Sequence, residues 1–184
     1  ADGCYDRNSV IISVQEEENR AVVRRVAKSF GIPVKMHSDG FSLMLNSVLL
    51  KEIMLKVLEL KGNSYTKKIP DWVYNLSGEG IGELLKGVFS GDGCVSDKEI
   101  IISLRSKELI EGINELLLGR GIIPRTSMNL SKPSKSSYSQ EKKEMFHCRL
   151  GNTKMLNSFK KNVNFLVNSK RDKLNKLCSR ISSH

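Results

Sequence analysis

Hydrophobic and polar positions follow one plan twice along this chain of 184 residues. In residues 9–15 every second side chain is apolar, which predicts a half-buried strand. The next segment, residues 16–31, has acidic residues at its start and basic residues towards its end. This charge order favours a helix, because it complements the helix dipole, and Gly31 is a suitable end.

A hairpin and a second helix complete the first copy of the plan. Residues 33–46 alternate in polarity on both sides of a Ser-Asp-Gly turn, which predicts two antiparallel strands. Residues 47–62 have apolar positions at helical spacing, with Ser47 as the predicted N-cap. In the second copy the corresponding helices are predicted over residues 107–120 and 152–163.

The two copies align without gaps over most of their length. The tripeptide Asp-Gly-Cys occurs at residues 2–4 and again at 92–94, an offset of 90 residues. Ile-Ile-Ser at 11–13 and Gly-Ile at 31–32 recur at the same offset, which later grows to 105. The second copy therefore carries about fifteen extra residues, and the Ser/Lys-rich segment 130–143 is the predicted insertion, an exposed loop. The chain is expected to be a pseudo-dimer of two related halves.

These patterns divide the chain into three parts. Residues 1–66 form the first repeat, residues 67–80 a linker, and residues 81–184 the second repeat with its inserted loop and a basic C-terminal tail. A helix is predicted over residues 81–90, before the second Asp-Gly. The chain starts inside its own first motif, so the corresponding first helix is expected to be truncated.

The positive charge of the chain indicates a polyanionic partner. The formal net charge is +10 and the isoelectric point is near 9.5, which favours nucleic acid or an acidic membrane surface, with a basic surface of no function as the alternative. No apolar run approaches the roughly 18 residues of a membrane helix, and no signal peptide is evident. The four cysteines are scattered without a C-x-x-C pair, which argues against zinc and predicts reduced thiols in an intracellular, cytoplasmic protein.

The Asp-Gly pairs place a carboxylate where a helix ends. There the negative charge of Asp92 lies beside the negative end of the helix dipole, which destabilises the helix by about 0.3–1 kcal/mol. Two such ends related by the repeat would bring Asp2 and Asp92 together, and their repulsion would add to the cost. A divalent cation between them removes both penalties, and oxygen ligands favour Mg²⁺, with Mn²⁺ as a substitute. The alternative is that Asp92 caps a turn and Gly93 ends the helix in the left-handed conformation.

A family resemblance rests on these same residues. The nonapeptide LKGVFSGDG at 85–93 resembles, position for position, the motif that names the LAGLIDADG homing endonucleases, and the opening ADG resembles the tail of a first such motif. The segments KKIPDWV and NSKRDKL are similar to the intein-encoded, archaeal-type branch. The resemblance implies an α+β fold of two pseudo-symmetric αββαββα repeats, in which two antiparallel sheets form a DNA-binding saddle. It implies a monomeric, site-specific endonuclease that cleaves double-stranded DNA at a long recognition site.

The same resemblance implies a set of catalytic residues. Asp2 and Asp92 would bind the metal ions, with the backbone carbonyls of Ala1 and Gly91 as further ligands. The chemistry would be two-metal hydrolysis of the phosphodiester, one ion activating water and the other stabilising the leaving 3′ oxygen.

The resemblance implies further catalytic residues at the strand ends and before the last helix of each half, namely Gln15, Lys68 and Lys170. The strand positions are Gln15 and Arg105, and Arg105 departs from the usual Gln or Lys, which leaves catalysis and phosphate contact open for it. The lysines are Lys68, or its neighbour Lys67, and Lys170, which could stabilise developing charge at the phosphate. Their alternative is an ordinary solvated surface lysine.

The outward faces of the predicted sheets carry side chains suited to DNA. Arg and Asn can read base edges, while lysines mostly contact phosphates. His37 and His147 are predicted to be DNA-face or surface histidines. The residues expected to contact DNA are Arg7, Lys35, Arg105, Arg125, Lys132, Lys135, Lys142, Lys143 and Arg149.

Three functions remain in competition at this point. The first is a metal-dependent DNA endonuclease, favoured by the two acidic motif ends. The second is a non-catalytic DNA- or RNA-binding module of the same fold, such as a degenerate homing enzyme, a maturase or a regulator, which the truncated first helix favours. The third, an RNA-binding protein with incidental acidic helix ends, leaves the repeat unexplained. The chain has neither Cys or Ser at position 1 nor a C-terminal His-Asn pair, so it is not expected to splice itself.

Overall fold

The computed structural model describes residues 3–131 and 143–182. Its two halves have the same order of elements, ββαββα, preceded in the second half by one helix and followed by another. The helices are α1 (Glu17–Ser29), α2 (Val48–Glu52), α3 (Gly78–Asp92), α4 (Lys107–Leu118), α5 (Thr153–Asn162) and α6 (Asn168–Ser182). The strands are β1 (Gly3–Tyr5), β2 (Val10–Ser13), β3 (Val34–Met36), β4 (Ser42–Leu45), β5 (Gly93–Val95), β6 (Ile100–Leu104), β7 (Arg125–Ser131) and β8 (Lys143–Leu150).

Each half contributes one antiparallel sheet of four strands. The strand order is β1-β2-β4-β3 in the first sheet and β5-β6-β8-β7 in the second. Gly3 pairs with Ile12 and Gly93 with Ile102, so the offset of 90 residues is also an equivalence of register. The predicted α+β fold with two antiparallel sheets is confirmed.

The predicted helices are present, and their ends carry the predicted capping residues. Ser47 accepts a hydrogen bond from the backbone N–H of Leu50 at 3.1 Å, and Gly31 has a φ of +65° at the end of α1. The helix predicted over residues 47–62 is shorter, because α2 continues only through a π-helical segment, Ile53–Val57. Glu59 then adopts a φ of +52°, which takes the backbone out of the helical conformation.

The predicted inserted loop is also shorter than its sequence pattern suggests. Strand β7 extends to Ser131 and strand β8 begins at Lys143, so both ends of the predicted loop belong to a hairpin. The remaining residues, 132–142, lie outside the described part of the chain.

The hydrophobic core is divided unequally between the halves. A large cluster in the second half includes Leu85 and Phe89 of α3, and the ring of Phe89 meets that of Phe159 edge to face at 4.9 Å. The first half has a much smaller cluster around Leu43 and Leu45. The second half thus anchors α3 and the strand that follows it.

Candidate functional site

Helix α3 ends at Asp92, and the chain turns directly into strand β5. A Cβ atom built on Gly93 would lie only 2.5 Å from the carbonyl oxygen of Phe89, so only glycine fits. Gly93 has a φ of −77° and a ψ of 146°, so the helix does not end in a left-handed residue. The equivalent Gly3 is similarly constrained, since its Cβ would lie 2.9 Å from the carbonyl oxygen of Ile11. The glycine of each Asp-Gly pair therefore permits a close backbone approach.

Lys170 lies at this end of α3. Its Nζ donates to the backbone carbonyl oxygens of Ser90 at 2.6 Å and Gly91 at 3.1 Å. Burial lowers the pKa of Lys170, and the carboxylates of Glu16 and Asp92 oppose that shift. A cation bound to the last carbonyls compensates the helix dipole in the place where Asp92 opposes it. The structure thus brings together Asp92, Gly91 and Lys170, which the resemblance had assigned to one site.

Two hydrogen bonds hold the start of α6, and with it Lys170, in this position. The backbone N–H of Leu166 donates to Ser90 Oγ at 2.7 Å. The backbone N–H of Asn168 donates to Glu18 Oε1 at 3.1 Å, a contact between the two halves of the chain. The pKa of Glu18 is lowered, and the largest cause is the hydrogen bond that its carboxylate accepts from Asn168 at the N-terminus of α6.

The oxygen atoms at the end of α3 fit part of the predicted metal site. The Asp92 carboxylate is a donor of the kind that Mg²⁺ takes. The Gly91 carbonyl oxygen already accepts from Lys170, which leaves one lone pair for a metal ion. Within residues 3–131 and 143–182, no group of three or more His, Cys, Asp or Glu side chains could hold a metal ion. Ala1 and Asp2, which would supply the other donors, lie outside the described residues.

Gln15 and Lys68 lie in different surroundings. Gln15 is exposed and directly precedes Glu16, the N-cap residue of α1. Lys68 is exposed beside α4, where it lines a shallow groove with Glu108 and Glu111. The backbone carbonyl of Lys67 accepts a hydrogen bond from Ser106 Oγ, which ties the linker to the start of α4.

The outer face of the second sheet carries an ordered polar network. Arg149 donates to Glu99 through one terminal nitrogen and to Ser127 Oγ through Nε at 3.3 Å. Arg125 is exposed and lies directly opposite Arg149 in the register. Two arginines therefore lie side by side on this face, one of them fixed by a carboxylate.

His147 is predicted to be a DNA-face or surface histidine, and its burial rules out the second alternative. It lies on this same face, but only 7% of it is exposed. Its Nδ1 is 2.7 Å from Ser103 Oγ and its Nε2 is 3.0 Å from Asn129 Oδ1. Burial, and after it the charge of Arg149, lowers the pKa of His147. Alternation along the strand identified the face, whereas the cross-strand neighbours determine that the ring is buried.

Arg105 contacts a tyrosine near the end of the first repeat. Its guanidinium donates to the Tyr65 hydroxyl at 2.7 Å and lies 5.3 Å from the centre of the ring. Desolvation raises the pKa of Tyr65, but hydrogen bonds from Lys143 and Arg105 outweigh it, and the pKa falls below its ordinary value. Arg105 and Lys143 therefore form a cluster of positive charge around the Tyr65 hydroxyl, at the end of strand β6.

The remaining predicted DNA contacts are at the surface or outside the described residues. Arg7 is exposed in the turn between β1 and β2, and its carbonyl accepts from Lys51 Nζ at 2.6 Å. Lys35 is exposed on strand β3. Three predicted contacts lie outside the described residues, namely Lys132, Lys135 and Lys142.

Sequence reasoning did not single out three of the residues found here. Glu16 follows the predicted Gln15 directly, so its position beside the strand end was the available signal. Ser90 lies within the motif itself. Tyr65 had no local signal, because its contact with Arg105 spans 40 residues of chain.

The described residues contain no helix long and apolar enough to cross a membrane.

Residues 79–164 match the family model of the LAGLIDADG-like domain. The chain is 31% identical over 111 residues to the DNA polymerase II large subunit of Thermococcus kodakarensis. It is 29% identical over 184 residues to the probable translation initiation factor IF-2 of Methanocaldococcus jannaschii. These matches cover 59% and 96% of this chain but only 6% and 15% of those two proteins.

Solved structures extend the likeness to the whole fold. A mesophilic variant of the homing endonuclease I-DmoI is 12% identical, with a TM-score of 0.61 over 95% of this chain and 89% of its own. I-DmoI has also been solved with its target DNA in the presence of Mg, and that structure matches at a TM-score of 0.57 and 12% identity over 88% of this chain and 86% of its own. Full-length DUF199/WhiA from Thermatoga maritima matches at 0.61 and 11% identity over 98% of this chain and 56% of its own. Residues 79–164 therefore match a LAGLIDADG-like domain, and the described chain has the fold of the homing endonuclease I-DmoI.

Proposed function

We propose that this chain is a site-specific endonuclease for double-stranded DNA, acting with a divalent metal ion. The observation that carries the proposal is the end of α3, where Asp92, inside the segment that matches the LAGLIDADG-like domain, lies beside the bound ammonium of Lys170. A carboxylate beside a fixed cation suits the hydrolysis of a phosphodiester. The carboxylate can hold a metal ion, and the cation can contact the anionic phosphate.

The residues of the chain divide this task between them. Asp92 and the carbonyl of Gly91, with Asp2 and the carbonyl of Ala1, would hold Mg²⁺, or Mn²⁺ in its place. A bound Mg²⁺ supplies an activated water and charge stabilisation at the leaving oxygen. Lys170 keeps a positive charge at the helix end, where the scissile phosphate would approach.

Other residues would assist at the cleavage site or contact the DNA around it. Gln15 and Arg105, at the ends of equivalent strands, would contact the backbone near the cleavage site, and Lys68 or Lys67 would be the counterpart of Lys170 in the first half. Arg125, which is exposed, and the half-buried Arg149 of the second sheet would contact the grooves. The similar I-DmoI structure was solved with its target DNA, which supports DNA as the partner.

A substitution at Asp92 separates cleavage from binding. Asp92→Asn removes the charge that holds the metal ion but keeps the size of the side chain, so we expect cleavage to be abolished and DNA affinity to be retained. Asp97→Asn is the matched control, because Asp97 is an exposed aspartate in the turn after strand β5. Cleavage by Asp92→Asn at the rate of the control would remove Asp92 from the catalytic role.

A second candidate is a DNA- or RNA-binding module of the same fold without cleavage. The likeness to DUF199/WhiA supports it, because the fold is not restricted to proteins named as endonucleases. Binding in the absence of any cleavage would favour this candidate.

We also propose that the chain belongs to an intein-type insertion. The two named relatives, a DNA polymerase subunit and a translation initiation factor, have unrelated functions, yet each shares a segment of 111 or 184 aligned residues with this chain. A mobile segment inserted into different host proteins accounts for such a pattern. Sequencing of the parent gene tests this, since splicing residues and two host segments should flank the region.

A further inference from the structure

The turn that follows α2 corresponds to the start of α6, at the repeat offset of 105 residues. Asn-Ser-Tyr at 63–65 aligns with Asn-Ser-Lys at 168–170. In both segments the residue four positions before the asparagine has a positive φ, +52° in the first half and +61° in the second. Tyr65 therefore occupies the position that Lys170 has in the second half.

The backbone of this turn supports the correspondence. The carbonyl oxygen of Asn63 accepts from the backbone N–H of Lys67 at 3.1 Å, which forms a single helical turn at the place where α6 begins in the second half. Lys67 and Lys68 align instead with residues 172 and 173, beyond the position of Lys170.

Each of the two segments contacts the other half of the chain at an equivalent place. The start of α6 lies against the start of α1, where the backbone N–H of Asn168 donates to Glu18; we call this contact the α1 joint. The turn 63–67 lies against the start of α4, where Ser106 Oγ donates to the carbonyl of Lys67; we call this contact the α4 joint. The starts of α1 and α4 are themselves related by the offset of 90 residues.

The two joints carry a cation at exchanged positions. The α1 joint has Lys170 on α6 and the uncharged Gln15 at the strand end before α1. The α4 joint has the uncharged Tyr65 at the position of Lys170 and Arg105 at the position of Gln15. At these two positions each joint therefore has one cation and one uncharged polar side chain.

Tyr65 holds the guanidinium of Arg105 in place. Its hydroxyl accepts from Arg105 at 2.7 Å, and the guanidinium lies 5.3 Å from the centre of its ring. Lys143 donates to the same hydroxyl and adds a second positive charge. The bond to Tyr65 uses one of the five N–H donors of the guanidinium, and a planar guanidinium suits a phosphate. The α4 joint thus has a fixed guanidinium where the α1 joint has a fixed ammonium.

We propose that Arg105, held by Tyr65, is the cation that contacts the scissile phosphate of the first cleavage site, as Lys170 does at the second. The inference rests on the proposed function, and it gives Arg105 the part that Lys68 or Lys67 would otherwise have. Tyr65 is a positioning residue, because it acts through Arg105. A double-strand cut needs one hydrolysis in each strand, so the two cations should serve different strands.

The experiment is single-turnover cleavage in Mg²⁺ of a duplex selected from a randomised library, with a different 5′ label on each strand. Arg105→Gln should slow the cleavage of one strand by about 100-fold and leave the other nearly unchanged. Lys170→Ala should slow the opposite strand. Tyr65→Phe keeps the ring but loses the hydroxyl, so it should slow the Arg105-dependent strand by about tenfold.

A charge exchange separates a role at the phosphate from a structural role. The double variant Arg105→Gln with Tyr65→Lys gives the α4 joint the same pair of side chains as the α1 joint. It should cleave the affected strand about tenfold faster than Arg105→Gln alone. If Tyr65 and Arg105 served only the packing of the joint, the second substitution would restore nothing.

Tyr74→Phe is the matched control. Tyr74 is also an exposed tyrosine, but its hydroxyl donates to Glu115 on α4. Both strands should be cut at the wild-type rate in this variant. Equilibrium binding in Ca²⁺ checks that each variant is folded, and Tyr65→Phe alone decides the question if Arg105→Gln does not bind.

The outcomes separate this inference from the proposed function. A wild-type chain that cuts neither strand overturns both. Equal slowing of both strands by Arg105→Gln, or slowing of one and the same strand by Arg105→Gln and Lys170→Ala, overturns the inference and leaves the function standing. A strand-selective loss in Lys67→Ala or Lys68→Ala, with none in Tyr65→Phe, also overturns the inference alone.

Discussion

At the scale of single residues, Lys170 explains how a carboxylate is tolerated at the end of α3. Its ammonium occupies the carbonyl groups of Ser90 and Gly91, which are the groups that give the helix end its negative charge. Asp92 therefore lies beside a compensated helix end. The sequence showed both residues, but only the fold places them in one site, since α6 approaches α3 from far along the chain.

Replacing Lys170 tests whether this cation serves cleavage. Lys170→Ala removes the charge that would meet the scissile phosphate, so we expect cleavage to slow by about 100-fold with a much smaller change in DNA affinity. Single-turnover kinetics on the selected target measure the first effect, and equilibrium binding in Ca²⁺ the second. Lys173→Ala, an exposed lysine one turn along α6, is the control. Equal rates for the two variants would make Lys170 a structural residue only.

Asp39 predicts a pH dependence of stability in the first half. Desolvation raises the pKa of its carboxyl, but hydrogen bonds from Ser42 and Phe41 outweigh this and hold the pKa well below its usual range. Because the folded pKa is depressed, its contribution to stability is complete above the unfolded pKa of about 3.9 and is lost as the pH falls towards the folded pKa.

Urea unfolding of the wild type and Asp39→Asn at several pH values checks this dependence. The wild type should be the more stable of the two at pH 7, and the difference should shrink steadily below about pH 4. A difference that is the same at pH 7 and pH 3 would show that the Asp39 charge contributes nothing. Asp6→Asn, in a turn of the same sheet, is the control.

At the scale of elements, there is room for a side chain at Gly87, within α3, but not at Gly93, directly after it. A Cβ on Gly93 would clash with the Phe89 carbonyl, so Gly93→Ala should lower the free energy of unfolding by about 1–3 kcal/mol. Among the described residues, no atom lies within 4 Å of a Cβ built on Gly87. Gly87→Ala should therefore raise the free energy of unfolding by up to about 1 kcal/mol, through helix propensity.

Denaturant unfolding of the two variants measures both effects. Equal destabilisation would contradict the distinction between a close backbone approach at Gly93 and an open helix face at Gly87. That open face, which continues at Gly91, suits the close packing of another helix.

The elements were largely predictable, and their burial was not. Alternation located the strands and helical spacing the helices, because both are local periodicities. The repeat offset of 90 residues recurs in the strand register, although the pairing itself was not predicted. The second helix of the first half was predicted too long, because the helical spacing of apolar residues continues past Glu59, whose positive φ takes the backbone out of the helix. Burial of His147 could not be predicted, because it depends on Ser103 and Asn129 from two other strands.

At the scale of the whole molecule, the charge of +10 predicts binding that depends steeply on salt. If about six phosphates are contacted, affinity should fall by about 1,000-fold between 50 and 200 mM salt. Fluorescence anisotropy with a target duplex measures this slope. A loss of only a few-fold would contradict a binding face built on phosphate contacts.

Two single substitutions assign that slope to a surface. Arg125→Ala, on the exposed outer face of the second sheet, should reduce the slope by about one unit. Lys68→Ala is the informative counterpart, because Lys68 lies beside the acidic residues of α4. An unchanged slope there, with a reduced slope for Arg125→Ala, would locate the DNA on the sheet face, whereas a reduction for Lys68→Ala would support its role near the phosphate.

The most direct test of the account is an end-sequenced digest of a randomised DNA library by this chain, in Mg²⁺ and separately in Ca²⁺. We expect double-strand breaks with short 3′ overhangs at one long motif, and only in Mg²⁺. Enrichment of bound DNA without breaks in either ion would contradict the proposed endonuclease and leave a recognition module of the same fold.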